Sequence, residues 1–553
     1  MIWIHPLSAE VEENARVLGG KAYGLIALKR LGLPVPPGFV IGTGAGRAFL
    51  RDGRLADGLD AELAAAVAEL ETVTRRRLGG PERPLTVSVR SGGSVSMPGM
   101  LSTILNLGLT TEATKGLAAE TGDPRFALDS RLRFLTGFAS TALGLAPETL
   151  RRPTDTQVPA DTQVPADTQV PTGTQARDAT GPEHPTDAWD AAGAERLADA
   201  VAGVEALIRE RAGAPVPEDA GRQLQLAVRA VFASWDTPRA KTYRELHDIP
   251  HDLGTAVTVQ AMVFGNRDRH SGTGVAFSRD PNTGEQAPFG EVLFGGQGEE
   301  VVSGTSSTRP LTDLAGREPD VWTGLVRALN RIEEHYRDAC YVEFTFEAGE
   351  LWILQVRPAG LAGRAAVRVA VDLADEGVIS RQEALLRISP HHLRHARTPR
   401  LATDDVLTRG LGACPGVATG AIATTADRAA RMAADGPVIL VRPHTSPLDM
   451  HGLAAAAGVL TASGGPASHA AVVARAMGKP AVVGVTDLTV DVAEGRVRMG
   501  ARTYAEGTLI TIDGTSGEVA AGAHRATTAT SDPHLGRLLT WADEAAPRYA
   551  GEP

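Results

Sequence analysis

Residues 461–484 read TASGGPASHAAVVARAMGKPAVVG. The apolar run GVLTA (458–462) enters a turn at Gly464 and Gly465, and Ser468 then stands where a helix N-cap belongs. SHAAVVARAMG spells a short helix closed by Gly478, with Pro480 just beyond, and PAVVGV follows as a strand. Strand, small-residue helix and strand in such close succession specify a small α/β unit. His469 falls in the first turn of that helix, where free N–H groups and the positive end of the dipole suit a group that becomes anionic. A neutral imidazole is also a nucleophile near pH 7. From these residues alone, a phosphate carrier and an ordinary first-turn histidine both stay open.

Working outward, the unit extends from about Gly410 to Gly522, with further strands in PVILVRP, TLITID and EVAAG. Before it, 364–376 reads as a helix stopped by Gly377, and Ser380 with Glu383 spells a capping box. HHLRHARTPR (391–400) reads as an exposed linker, its three histidines a weaker candidate for metal. From Gly254 to Arg357 the pattern turns to strands: TAVTVQAMVFG, SGTGVAF, GEVLF, YVEFTF and LWILQVR. Leu224, Val228, Val231, Phe232 and Trp235 form a helical core stripe. At 153–175 a six-residue unit, DTQVPA, recurs; its composition predicts a solvated insert running to about Asp187.

Composition bounds the function. The 553 residues carry 43% apolar and 22% charged side chains, enough for several globular cores. A net charge of −11 argues against nucleic acid or an anionic membrane as a general partner. Two widely separated cysteines, Cys340 and Cys414, exclude a disulfide scaffold and fit a cytoplasmic protein. The N-terminus lacks the basic and apolar regions of a signal peptide, and no apolar run reaches membrane-spanning length.

Three blocks suit phosphate. LGGKAYGL (18–25) presents Lys21 after two glycines that allow close backbone approach, although the spacing is not that of a P-loop. Arg90 ends an alternating strand before a Gly- and Ser-rich loop, and SGTGVAF (271–277) offers a second flexible glycine loop. In YVEFTFEAGELWILQVRP (341–358), a three-residue hairpin loop at 348–350 would set Glu343 opposite Gln355 and Tyr341 opposite Arg357. Glu343, Gln355 and Arg357 would then share one face, a set suited to a metal–nucleotide and equally to an exposed polar pair.

GG-x-x-SHAAVVAR at 464–475 resembles the phosphohistidine domain of the pyruvate, phosphate dikinase and phosphoenolpyruvate synthase family, and the other blocks follow in that family's order. The resemblance implies a multidomain protein of α/β and α+β class. It assigns 1–362 to an ATP-grasp nucleotide-binding domain, 363–410 to a helical hinge, 411–525 to a swivelling phosphohistidine domain and 526–553 to a tail. It implies that His469 is phosphorylated, supported by Gly464, Gly465 and Ser468. Carried over by motif, Lys21, Arg90 and Arg357 would contact ATP phosphates, and Gln260, Met262 and Val263 would line the adenine. Glu299 would reach the nucleoside, Thr273 and Gly274 would cover the phosphates, and Glu343 with Gln355 would sit by Mg²⁺. The implied reaction takes ATP and phosphate to AMP, pyrophosphate and phosphohistidine.

Some positions depart from that family. Tyr341 replaces an aspartate, Ser94 and Ser463 replace arginines, and Ala467 replaces a threonine. The family's C-terminal barrel, which holds phosphoenolpyruvate and pyruvate, has no counterpart in the sequence. The expected acceptor is therefore pyruvate or another molecule bound outside the chain, for instance on a separate subunit. The alternative is a non-catalytic nucleotide-binding or regulatory remnant.

Overall fold

The computed structural model describes residues 2–95, 97, 100–146, 150, 186–246, 248–303, 308–396, 399–403, 405–466, 468–528 and 532–545. The DTQVPA repeat and Ala467 lie outside the described residues. Thr186 and Asp187, expected at the end of the insert, instead open a helix, Thr186–Ala212.

The chain divides into two compact units: Met1–Leu7, Val11–Tyr23 and Pro37–Met262 make the first, and Ser8–Glu10, Gly24–Pro36 and Val263–Pro553 the second. Helix α1 (Ala15–Arg30) starts in the first and ends in the second, and leaves helical geometry at Gly19, where φ is 75°.

In the first unit, β1 (Ile4–Pro6), β2 (Gly38–Ile41), β3 (Val87–Gly93), β4 (Thr103–Leu107) and β5 (Thr255–Ala261) form an antiparallel sheet in the order β1-β2-β5-β3-β4. Helix α2 (Ala220–Ala233) buries Leu224, Val228, Val231 and Phe232, and Trp235 is buried just beyond it. The predicted stripe is core.

The second unit holds two larger sheets. The first contains β6 (Gly272–Phe277), β7 (Phe289–Phe294), β8 (Arg309–Pro310), β9 (Cys340–Glu347) and β10 (Glu350–Pro358), antiparallel in the order β8-β7-β6-β9-β10. Helix α3 (Pro319–Tyr336) connects β8 to β9, α4 (Gly363–Asp375) follows β10, and the Ser380–Glu383 capping box is formed.

The other sheet is mixed and eight-stranded. It contains β11 (Val406–Arg409), β12 (Leu411–Cys414), β13 (Val417–Ala423), β14 (Val438–Arg442), β15 (Gly458–Thr461), β16 (Ala481–Val483), β17 (Leu509–Asp513) and β18 (Glu518–Ala521). The order is β11-β18-β17-β13-β14-β15-β16-β12, with β13 to β16 mutually parallel. Helix α5 (His469–Met477) crosses between β15 and β16, as the opening stretch predicted. Its inner face is Ala470, Ala471 and Ala474, so the helix lies close against Ala413, Val459, Ala481 and Val483. Cys340 and Cys414 are buried and unpaired, and burial pushes both thiols up to about 12. Among the described residues no helix is long and apolar enough to cross a membrane.

Arg279, just after β6, is fully buried. It donates to Glu333 Oε1 from Nε at 2.9 Å and Nη2 at 2.7 Å, and to Glu376 from Nη1 at 3.1 Å and Nη2 at 2.7 Å. It thereby ties the sheet to α3 and to the end of α4. Removing one partner of a buried ion group strands the others. Arg279→Met should therefore destabilise the second unit by about 3 kcal/mol, read as a shift of its denaturant midpoint.

Candidate active site

In the first unit, backbone geometry gathers the phosphate candidates. A Cβ on Gly19 would overlap the Gly92 carbonyl oxygen, so the Gly-Gly turn lies directly on the end of β3. Lys21 Cβ is 3.5 Å from where a Cβ on Gly92 would stand, which puts Lys21 on the face that Gly92 shares with Arg90. Arg90 pairs with Thr258, and Ser88 with Gln260, so Gln260 belongs to the same face. Lys21, Arg90 and Gln260 are thus brought together, and Met262 follows at the end of β5, its N–H bonded to Thr86 O.

The second unit holds Val263, Thr273, Gly274, Glu299, Glu343, Gln355 and Arg357. Glu343 pairs with Gln355 and Tyr341 with Arg357, as expected, but by another route. The hairpin turn has two residues, Ala348 (φ 51°) and Gly349 (φ 81°), and a bulge at Leu354 restores the register. Glu343, Gln355 and Arg357 share a face, and Arg357 Nη2 donates to Glu343 Oε1 at 2.9 Å. Tyr341 fills its position as a buried aromatic. Its ring packs edge-on against Phe277 at 5.0 Å, and the Arg357 guanidinium lies 4.6 Å from its centroid.

SGTGVAF is not a flexible loop. It contains β6, a buried strand in the middle of the sheet. Its glycines are required because Phe346 and Phe344 press on Gly272 and Gly274. Thr273 Oγ1 donates to Phe344 O at 3.1 Å and is 3.0 Å from Thr345 Oγ1. Glu299 is exposed on the short helix Gly298–Ser303.

His469 is the first residue of α5, with Ser468 at the N-cap. The Ser468 hydroxyl makes no cap hydrogen bond and, although buried, has no partner among the described residues. His469 Nδ1 is 3.1 Å from Thr445 Oγ1, and its buried Nε2 has no partner among the described residues. Burial holds the imidazole below its ordinary value, against the opposite pull of Asp449. Ser463 turns away, donating its hydroxyl to Pro443 O at 3.1 Å.

Two further residues enter here. Glu291 on β7 is buried, and a Cβ on Gly465 would overlap its carboxylate. Arg475 is buried in α5 and donates to Pro466 O at 2.7 Å and Ala413 O at 3.0 Å. A carboxylate within the otherwise apolar GEVLF was a visible signal for Glu291. Thr445, in an ordinary loop after β14, gave none.

A divalent ion tests the donor set. Among the described residues no three His, Cys, Asp or Glu could form a metal cage. Mg²⁺ on a nucleotide needs only one or two protein oxygens, with phosphates and water completing its shell. Glu343 and Gln355, directly paired, fit that requirement. The exposed-linker reading of the three histidines is corrected. Pro390–Arg394 is helical, and His395 lies so close to Gly478 that a Cβ there would be 2.7 Å from Nε2.

Comparison with known proteins gives the family. Residues 15–78 and 59–312 match the pyruvate phosphate dikinase, AMP/ATP-binding domain family, more than half of the chain. The chain belongs to this family. Residues 434–517, which contain His469, match the PEP-utilising enzyme, mobile domain family. Relatives named pyruvate, phosphate dikinase include that of Rhizobium meliloti (strain 1021), 39% identical over 98% of this chain and 60% of the relative. That of Clostridium symbiosum is 37% identical over 98% and 60%, and pyruvate, phosphate dikinase 2 of Zea mays is 39% identical over 96% and 58%. The chain therefore spans about 60% of the length of these relatives.

Gly19 and Gly20 should differ sharply on substitution. Gly19→Ala combines overlap with Gly92 and a positive φ, and should destabilise the first unit by about 2 kcal/mol or more. A Cβ on Gly20 would be 3.5 Å from Gly93 O. Gly20→Ala should therefore shift the unit's melting temperature by no more than a few degrees.

Proposed function

We propose that this chain transfers phosphate from ATP to its own His469, with ATP and inorganic phosphate giving AMP, pyrophosphate and phosphohistidine. The phosphate then passes to pyruvate or another acceptor held outside these 553 residues. The reading rests on one observation. A half-buried His469, its Nδ1 beside Thr445 and its Nε2 without a partner among the described residues, heads a helix whose preceding loop sits on the sheet that carries Glu343, Gln355 and Arg357.

Each residue has a part in this reading. With Nδ1–H donating to Thr445 Oγ1, the lone pair resides on Nε2, which becomes the nucleophile. The first-turn N–H groups of α5 receive the phosphoryl oxygens. Lys21, Arg90 and Arg357 hold the ATP phosphates, and Gln260, Met262 and Val263 line the base of an ATP-grasp module. Glu299 reaches the nucleoside. Thr273 lies on the same sheet face as Glu343, and with Gly274 it would approach the phosphates from a strand rather than from a covering loop. Glu343 and Gln355 would hold Mg²⁺, which when bound neutralises phosphate charge. Catalysis is then mainly positioning and electrostatic stabilisation. Segment 363–410 serves as the hinge by which the carrier domain leaves to reach its acceptor.

A second reading, nucleotide binding without transfer, draws on the Arg357–Glu343 ion pair and on the uncharged Tyr341 beside it. Incubation with Mg²⁺ and β-labelled ATP, with and without phosphate, separates the two. Wild type should gain acid-labile label and release AMP, whereas His469→Ala should do neither. Wild type behaving as His469→Ala while still binding ATP would leave only the second reading.

The pH profile follows from the imidazole. Only the neutral ring is nucleophilic, and burial lowers its value from 6.5. As pH falls, labelling should hold through 6.5 and be lost only below it. A half-point at or above 6.5 in single-turnover labelling would contradict the buried, neutral His469.

A further inference from the structure

Within the second unit, a continuous line of side chains joins the His469 helix to the Glu343 face. Arg475 is anchored on the loop before His469 through Pro466 O, and its guanidinium lies 5.6 Å from the Phe277 centroid. Phe277 meets Tyr341 edge-on at 5.0 Å, with planes at 65°. Arg357 lies 4.6 Å over the Tyr341 ring. The same guanidinium donates to Glu343 at 2.9 Å.

We propose that Tyr341 is a positioning residue that couples the seating of the phosphohistidine helix to the placement of Arg357 and Glu343. The inference rests on the phosphotransfer reading for its purpose, but the coupling itself is a property of the fold. An aspartate at this position could hold Arg357 by a charged hydrogen bond but would offer no ring to Phe277. A tyrosine fixes Arg357 by its ring face, and the ring also meets Phe277 edge-on. Cation–π and edge-to-face contacts are directional, so a shift of Arg475 changes where Phe277, Tyr341 and then Arg357 can stand. Glu291 provides a second contact between the same parts. Its carboxylate occupies the space a side chain at Gly465 would need, so the loop has a defined seat. Burial of Tyr341, Phe277 and Arg475 leaves the line little room to relax.

Hydrogen exchange of the amides at 353–357 in the full chain reads the coupling without any nucleotide. Arg475→Leu should speed exchange there about fivefold. In a Tyr341→Leu background the same change should add less than twofold, and Tyr341→Phe, which keeps the ring, should restore most of the effect. Phe277→Leu cuts the line at another link and should likewise silence Arg475→Leu, which keeps the test usable should Tyr341→Leu fold poorly. Additive effects in both backgrounds would overturn the coupling. In parallel, titration with ATP and Mg²⁺ should show Tyr341→Leu binding about tenfold more weakly and Tyr341→Phe within threefold of wild type. Coupled exchange in a protein that binds no ATP would overturn the nucleotide reading and leave the coupling intact. ATP binding with additive exchange would do the reverse.

Discussion

A buried guanidinium organises the region around His469. Arg475 has two backbone acceptors, Pro466 O in the loop before the helix and Ala413 O on β12, and its remaining face lies over Phe277. A buried arginine is tolerable only when its donors are matched, so its environment has little freedom to rearrange. The alanine face of α5 works with it. Without large side chains the helix lies low on its own sheet, leaving its first turn, rather than its body, to meet other groups.

Much of this architecture was legible because it is periodic. Strands β14 to β18, α5 and its Gly478 stop, the α2 stripe and the Ser380 capping box all follow from spacing and from residues with one physical role. The β9–β10 hairpin is more instructive. The expected loop was one residue too long, and the bulge at Leu354 was not foreseen, yet the two errors cancel and the same pairs face each other. SGTGVAF misled in the other direction. Its glycines suggest a mobile loop, but they exist so that Phe344 and Phe346 can pack against a central strand.

Contacts between distant segments were not legible. Nothing local distinguishes Thr445 from other loop threonines, and it gains meaning only from the position of His469 Nδ1. Gly465 read as a turn glycine, whereas the tighter constraint on it comes from Glu291, 174 residues earlier in the chain. Tyr341 was recognisable as unusual at its position. Arg357 was expected opposite it, but its partner Phe277 became evident only once β6 was laid beside β9.

The bulge at Leu354 has one more consequence. β10 is the last strand of its sheet, and a regular outer strand offers free N–H and C=O groups to any passing chain. Here the extra residue breaks the regular spacing of those groups. The outward N–H of Ile353 is also already taken by Pro34 O at 2.7 Å, from the segment that follows α1. The irregularity that aligns Glu343 with Gln355 therefore also makes this border a poor template for a second molecule, and protects the protein from self-association through sheet extension.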